Sequence, residues 1–388
     1  MTVKYPLAAS TWDEEEYDAL NRVIKSGNFS MGEEVRAYER EFADQFETRF
    51  AVMVNSGSSA NLLMTASLFY TRNKSLKLEP GDEVIVPAIS WSTTYNPLAQ
   101  YGLRMKFVDV DAATLNYSMD ALREAVTDDT RAIMVVNLLG NPNDFSEIQK
   151  IVSNRNIVII EDNCESMGAR FEGKNAGTFG VMGSFSSFFS HHISTMEGGM
   201  VVTDDEELYH IMLSLRAHGW TRDLPQENHV VGKKNDESFC ESFRFVLPGY
   251  NLRPLEMSGA LGREQIRKLP KLIQGRRDNG LEVQEKLSNH RLFMIQEEIG
   301  QSSWFGFSLV LRPDADMTRA EFISRLAEKG FECRPIVAGN FARSEVVQYF
   351  QHEIHGDLEN ADYVDARGLF IGNHHYPISE AIEVLKHL

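Results

Sequence analysis

The chain has 388 residues, of which 43% are hydrophobic and 10% aromatic, enough to bury one large core and a second, smaller one. Its 39 basic and 56 acidic residues give a formal net charge of -17, which repels nucleic acid phosphates and anionic lipids. This balance argues against nucleic acid and membrane partners. A pocket of backbone N–H groups can still bind a small phosphorylated molecule.

The three cysteines, Cys164, Cys240 and Cys333, are far apart and form no C-x-x-C or zinc-type spacing. We therefore expect reduced thiols, a cytoplasmic protein and no metal site. The N-terminal residues contain no apolar run of signal-peptide length, and no run of about 18 apolar residues suggests a membrane span.

The first predicted element is an amphipathic helix. A capping-box pattern at Thr11 and Glu14 predicts its start. Apolar residues at helical spacing, among them Tyr17 and Ile24, continue as far as Gly27, which predicts its end.

Short apolar runs then alternate with helical stretches. Runs this short, and apolar on both faces, predict a parallel sheet that helices cover on both sides. They are AVMV at 51–54, EVIVP at 83–87, MKFVDV at 105–110, AIMVV at 132–136 and IVIIE at 157–161.

The pattern changes after about residue 250. A long helical stretch over 255–287, a strand in WFGFSLVL, a helix near 318–329 and a strand in FECRPIV predict an α+β unit. We therefore predict a large α/β domain over residues 1–250 and a small α+β domain over residues 251–388.

Polar and aromatic residues follow the predicted strands, at the edge where ligands collect in open parallel sheets. Gly57 and Ser58 open a helix whose free N–H groups suit a phosphate, although an ordinary N-cap has the same appearance. Trp91 suits either a planar ligand ring or the core. Asp162 and Glu165 follow IVIIE, where a carboxylate pairs with a cationic ring nitrogen or merely caps a turn.

Together these residues describe a flat ligand with a phosphate at one end and a protonatable ring nitrogen at the other. Pyridoxal phosphate has this shape, and its enzymes pair a carboxylate with the pyridine nitrogen and use a Schiff-base lysine. The sequence therefore predicts a pyridoxal phosphate site.

The order of the motifs resembles that of the DegT, DnrJ, EryC and StrS family of sugar aminotransferases, which are fold type I pyridoxal phosphate enzymes. The resemblance implies an α/β fold like that of aspartate aminotransferase, with a mostly parallel central sheet and a smaller C-terminal α+β domain. The matching segments are SGNFSMGEEVRAYEREFA, NSGSSANLL, PAISWSTTYN, IEDNCESMGA, SFSSFF with EGGMVVT, and PGYNLRPLEMSGALG.

One position departs from the family pattern. The family usually has a lysine six residues before the acid of a Glu-Gly-Gly turn, and here, counted back from Glu197, that position is His191. An imidazole cannot form the Schiff base that this lysine forms, so the cofactor would be held noncovalently. If the stretch is extended, His192 faces the other way and only His191 reaches the cofactor.

Within the family, this replacement marks the ketosugar 3-dehydratases. The resemblance implies that glutamate converts the cofactor to pyridoxamine phosphate and leaves as 2-oxoglutarate. The amine then condenses with the 4-ketone of a nucleotide sugar, the 3-hydroxyl is lost, and ammonia is released. The implied substrate is GDP-4-keto-6-deoxymannose, as in colitose biosynthesis. His191 is the candidate acid and base, since a histidine pKa lies near neutrality.

The resemblance also assigns the cofactor contacts. Asp162 would pair with the pyridine nitrogen, Trp91 would stack on the ring, and Glu165 would lie beside it.

For the cofactor phosphate, the resemblance implies binding by Gly57, Ser58 and Ser186. Asn251 would reach the phosphate of the neighbouring subunit, which implies a homodimer with shared active sites.

Two rival functions stay open at this point. One is an aminotransferase that lacks its lysine but still delivers an aminosugar, and the other is an inactive relative that binds a nucleotide sugar or a partner.

His218 either orients His191, touches the substrate or packs beside Trp220. Residues 28–32 and 334–340 are candidates for sugar binding.

Overall fold

The structure is a computed structural model and describes residues 3–388. The helices are α1 Glu14–Ser26, α2 Glu33–Phe46, α3 Gly57–Tyr70, α4 Ser92–Gln100, α5 Met119–Ala125, α6 Phe145–Val152, α7 Glu206–Arg216, α8 Ser238–Glu241, α9 Glu256–Leu287, α10 Arg319–Glu328, α11 Glu359–Arg367 and α12 Ser379–Lys386. The strands are β1 Phe50–Val54, β2 Glu83–Pro87, β3 Arg104–Val108, β4 Thr130–Val136, β5 Val158–Asp162, β6 Arg170–Phe171, β7 Lys174–Asn175, β8 Met182–Ser186, β9 Gly199–Thr203, β10 Glu227–Asn228, β11 Gly232–Lys233, β12 Phe293–Ile295, β13 Gly306–Leu311, β14 Cys333–Arg334, β15 His352–Ile354 and β16 Gly368–Gly372.

The central sheet has the strand order β1-β9-β8-β5-β4-β2-β3-β15. β9 is antiparallel to both of its neighbours, and the other strands all run in one direction. The five predicted apolar runs are confirmed as β1 to β5. β2 and β5 are buried at every position, as expected for strands that helices cover on both faces.

The first helix differs from its prediction at the start. Its N-cap is Asp13, and the capping box joins Asp13 to Glu16, so the predicted box at Thr11 and Glu14 is wrong. The buried face is also rotated, since Tyr17 is 53% exposed and Ile24 52% exposed. The predicted end is confirmed, because Gly27 caps the helix with φ 72°.

A second, smaller sheet lies in the C-terminal part of the chain and has the order β12-β13-β16-β14, with antiparallel pairs. β15 leaves this unit and adds an edge strand to the central sheet beside β3. The long helix α9 packs against α1 and α2 of the large domain. Segments beyond residue 251 therefore contact the large domain extensively, and the division at 250/251 stays a prediction.

The contact between α2 and α9 is close because glycines lie in it. A Cβ atom at Gly259 would be 2.6 Å from the backbone nitrogen of Val35, and one at Gly262 would be 2.4 Å from the ring of Tyr38. Since backbone atoms cannot move aside cheaply, the Gly259 contact fixes the separation of these two helices.

We expect Gly259→Ala to lower the free energy of unfolding by about 1–3 kcal/mol, because the added methyl overpacks the helix contact. The measurement is urea denaturation at constant temperature. Leu281→Ala is the control: it lies on the same helix, is 62% exposed, and should change stability by less than about 0.5 kcal/mol. Equal stability of the two variants would contradict this account of the contact.

Candidate active site

A cavity of about 480 Å³ opens at the carboxyl ends of the parallel strands. Strands that run in one direction bring the residues that follow them to one edge of the sheet, which is where ligands bind in such folds. The predicted site residues that line this cavity are Gly57, Ser58, Trp91, Asp162, Glu165, Ser186 and His191.

One end of the cavity is the N-terminus of α3. Ser56 is the N-cap, and its hydroxyl accepts the N–H of Ser59, while the N–H groups of the first turn have no acceptor within the helix. A Cβ atom at Gly57 would lie 2.7 Å from Cβ of Ser186 and 3.0 Å from Sγ of Cys164. Only glycine fits there, so its backbone can approach a bound anion closely.

The Asp162 carboxylate is fixed at the end of β5. Asn61 Nδ2 and the Thr94 hydroxyl each donate to Oδ2 at 2.7 Å, and the Cys164 N–H donates to Oδ1 at 3.2 Å. These bonds orient an acidic side chain that is only 5% exposed. A buried carboxylate held in this way suits a cationic partner.

Trp91 lines the cavity and occupies the N-cap position of α4, without a capping hydrogen bond from its side chain. It is 56% exposed, so it is not the core residue that composition alone would favour. An exposed indole beside a polar cavity offers a flat surface for a ligand ring.

The ring of His191 is held by a hydrogen bond to the backbone of Cys164, which also lines the cavity. Its Nδ1 is 2.9 Å from the carbonyl oxygen of Cys164, and because a carbonyl can only accept, Nδ1 carries the hydrogen. In the neutral ring the lone pair is then on Nε2. Burial lowers the pKa of His191 to about 4; the Cys164 bond opposes this shift, and the charge of Arg334 adds to it. Neutral His191 therefore offers a proton acceptor at Nε2.

His192 does not line the cavity. It is fully buried, and its Nε2 is 3.2 Å from the carbonyl oxygen of Ser303. The stretch is not extended, since residues 189–193 form turns and bends, so the condition under which adjacent side chains alternate is not met. The two rings nevertheless separate, because each bonds to a different backbone carbonyl.

Glu165 and Arg334 are two further polar residues that line the cavity. Burial raises the pKa of Glu165 to about 7, although the charge of Arg334 opposes this shift. The Leu139 N–H donates to Glu165 Oε2 at 3.3 Å. The guanidinium of Arg334 lies 4.7 Å from the ring centre of Phe370, which holds its charge at the cavity.

Two residues named from the sequence lie elsewhere. Asn251 is exposed in a separate groove and accepts a hydrogen bond of 3.0 Å from Arg253 Nε. His218 packs against Trp220 with 4.8 Å between ring centres, which matches the structural alternative for this histidine.

Comparison with models of known protein families identifies the family of this chain. The model described as the DegT/DnrJ/EryC1/StrS aminotransferase family matches residues 10–386. The chain belongs to this family.

Individual relatives are similar over nearly their whole length. GDP-4-keto-6-deoxy-D-mannose 3-dehydratase of Yersinia pseudotuberculosis is 58% identical over 384 residues, with 99% of this chain and 97% of the relative covered. A crystal structure of GDP-4-keto-6-deoxymannose-3-dehydratase with a trapped PLP-glutamate geminal diamine has a TM-score of 0.97 and 56% identity, and 99% of both chains is covered. A mutant of that enzyme with bound GDP-perosamine gives the same values. These similarities confirm the predicted aminotransferase fold.

Within residues 3–388, no helix has both the length and the hydrophobicity needed to cross a bilayer. The same residues include no group of three potential ligands placed to hold a metal ion.

Sequence reasoning missed the residues that orient the predicted ones. Asn61 follows Gly57 by four residues, so helical spacing alone places both on one face of α3. Thr94 is likewise in the first turn of α4 after Trp91. Arg334 was included only in a candidate range, since nothing in the sequence brings a small-domain strand to this cavity.

We expect His191→Gln to weaken the pH dependence of stability. The folded pKa of His191 lies below the ordinary value of 6.5, so the unfolded chain binds more protons between about pH 4 and 6.5. This histidine therefore makes stability fall as the pH drops through that window, and Gln removes its contribution. Urea denaturation at a series of pH values measures the slope. An NMR titration of the His191 ring is an independent check, and a slope equal to that of the unmodified protein would contradict the shift.

Proposed function

We propose that this chain is a dehydratase that removes the 3-hydroxyl of GDP-4-keto-6-deoxy-D-mannose and gives GDP-4-keto-3,6-dideoxy-D-mannose. The cofactor is pyridoxal phosphate, used in its pyridoxamine form, and glutamate is the amino donor. The observation that carries this proposal is His191, which lines the cavity in the place of the family's lysine. Two relatives that are 58% and 57% identical over nearly the whole chain carry the name of this dehydratase.

The cavity fits the cofactor at its phosphate and at its ring nitrogen. The glycine cradle at Gly57 and the first turn of α3 would hold the phosphate, together with Ser58 and Ser186. Asp162, oriented by its hydrogen bonds, would pair with the ring nitrogen.

The ring itself would have contacts on two sides. Trp91 would stack on its face, and Glu165 would lie beside it. When bound, the cofactor supplies an amine and an electron-withdrawing ring.

His191 performs the proton transfers. Because Nδ1 is held by the Cys164 carbonyl, the proton from the reacting carbon is accepted at Nε2. The same nitrogen then donates to the departing 3-hydroxyl. An imidazole has no primary amine, so His191 cannot form a Schiff base with the cofactor. The route by which a lysine would displace an aminosugar from the cofactor is therefore closed.

Binding of glutamate requires a cationic side chain that pairs with one of its carboxylates, and Arg334 is an arginine that lines the cavity. Its planar guanidinium can bind a carboxylate through two hydrogen bonds. We assign Arg334 to glutamate binding on this ground.

The active unit in this proposal is a homodimer in the cytoplasm. Asn251 is exposed and outside its own cavity, as a residue that completes a neighbour's phosphate site would be. The three cysteines are free thiols, in keeping with a reducing compartment.

We expect the unmodified protein, given pyridoxal phosphate, glutamate and GDP-4-keto-6-deoxymannose, to release ammonia and a product that lacks the 3-oxygen. His191→Asn should lower this rate by at least about a hundredfold, because no group remains to accept the proton. Product mass and an ammonia assay measure both results.

Two outcomes would contradict the proposed dehydratase function. An aminosugar from the unmodified protein would make the chain an aminotransferase, and unchanged dehydration by His191→Asn would remove the proposed acid and base. Cofactor absorbance in the Asn variant serves as the control that the site still binds its cofactor.

We expect Arg334→Gln to weaken the use of glutamate about tenfold or more, because a charge-assisted pair with the donor carboxylate is lost. The cofactor absorbance change on addition of glutamate alone measures this step. Arg155→Gln, an exposed arginine that pairs with Asp128, is the matched control. If Arg334→Gln responds to glutamate like the control, another residue binds the donor.

A further inference from the structure

Phe305, which directly precedes β13, packs against the ring of His191. The centres of the two rings are 5.0 Å apart, and their planes make an angle of 47°. Phe305 is 5% exposed and lies outside the set of described residues that line the cavity. We therefore expect it to influence the chemistry through His191 and not by touching a ligand.

The imidazole of His191 needs more than one contact to have a fixed orientation. Rotation about the Cβ–Cγ bond of a histidine has only a broad preference, so the rotamer alone does not set the plane of the ring. The backbone gives little support, since residues 189–193 form turns and bends. The hydrogen bond from Nδ1 to the Cys164 carbonyl fixes one edge of the ring, and the contact with Phe305 limits its rotation about that bond.

The backbone of Phe305 is itself anchored on two sides. Its N–H donates to the carbonyl oxygen of Leu139 at 3.0 Å, and its carbonyl oxygen accepts from Nη1 of Arg276 at 3.0 Å. The same nitrogen of Arg276 donates to the carbonyl oxygen of Asn373 at 2.9 Å. Arg276 is 4% exposed, and hydrogen bonds from a buried cation are stronger than those between exposed groups. Phe305 is therefore tied both to the loop after β4 and to α9.

A glycine allows the segment of Phe305 to approach the loop after β4. Gly140 has φ 97°, and a Cβ atom there would be 2.5 Å from the backbone nitrogen of Trp304 and 2.7 Å from that of Phe305. Backbone atoms cannot move aside cheaply, so the contact requires glycine. Leu138, in the same loop, lines the cavity. This close contact therefore fixes the position of Phe305 relative to the cavity.

Two further rings limit the motion of the Phe305 side chain. Phe370 stacks on it with 5.8 Å between ring centres and 27° between planes. The ring centre of His192 is 5.5 Å away, and that histidine is fully buried with its Nε2 near the Ser303 carbonyl. A ring packed in this way has little freedom to turn away from His191.

We propose that Phe305 is a positioning residue for His191, and that its ring holds the imidazole in the orientation in which Nε2 exchanges protons with the substrate. The inference rests on the proposed function, because it concerns the proton transfers assigned to His191. Burial is the main cause of the lowered pKa of His191, and Phe305 is an apolar ring in contact with it. Loss of this ring should therefore change both the orientation and the titration of His191.

The first test compares the kinetics of Phe305→Leu and Phe307→Leu. Phe307 is the matched control, since it is 1% exposed and packs against Trp304 with 5.6 Å between ring centres. The two variants lose the same atoms from buried positions. We expect Phe305→Leu to lower kcat for dehydration about tenfold with an unchanged KM for the nucleotide sugar, because a less restrained imidazole is misplaced in the transition state. Phe307→Leu should keep both constants.

The second test follows the ring of His191 by NMR titration of protein saturated with pyridoxal phosphate. The chain has 11 histidines, so the His191 signal is identified by its loss in His191→Gln. We expect the pKa of His191 to rise toward 6.5 in Phe305→Leu, because the smaller side chain leaves the imidazole more accessible to water. In Phe307→Leu, the pKa of His191 should equal that of the unmodified protein.

Equal kcat values in the two Leu variants, with an unchanged titration of His191, would overturn the proposal and leave Phe305 as a core residue alone. A rise in KM without a loss of kcat would also overturn it. Phe305→Met, which keeps most of the buried volume, repeats both comparisons if Phe305→Leu does not fold. An unmodified protein that releases no 3-deoxy product would reject the proposed function, while the NMR comparison would still test the contact between Phe305 and His191.

Discussion

The shared direction of the sheet strands is the constraint on which the site depends. Because every strand except β9 runs the same way, the residues after β1, β2, β4, β5 and β8 meet at one edge. Residues separated by more than a hundred positions, such as Asn61 and Asp162, thereby come within 2.7 Å. β9, as the exception, returns the chain so that the turn before it, with His191, also lies at this edge.

The sequence was sufficient for the parts of the site that local geometry determines. Five apolar runs predicted β1 to β5, and the residues after them predicted the cavity lining, because a parallel sheet leaves little choice of where strand ends go. The capping box begins at Asp13 and not at the predicted Thr11, because both residue types suit the N-cap position and the sequence does not decide between them. Thr11 instead hydrogen-bonds to Gln265, a long-range partner that no local pattern reveals.

Other features depend on contacts between distant segments. Arg334 reaches the cavity because the small-domain sheet packs there, and β15 joins the central sheet through β3 across more than two hundred residues. The assumption of an extended stretch at His191 also failed, since tertiary hydrogen bonds to Cys164 and Ser303 bend the chain. Such long-range pairings are not visible in a single sequence. The replacement of the lysine by His191, in contrast, could be predicted from the family's motif spacing alone.

The low pKa of His191 is consistent with its proposed role, in which the ring first accepts a proton and then donates it. Burial makes the ring neutral at rest, so Nε2 is free to accept a proton, but the same burial makes the protonated ring a stronger acid. Once it carries the proton, the ring lies near the positive charge of Arg334 and gains by giving it up. In the proposed dehydration, the departing 3-hydroxyl is the group that takes this proton. An environment that weakens the base would therefore help the second of the proposed transfers, while the bound cofactor would supply the electron-withdrawing ring that makes the first proton acidic enough to remove.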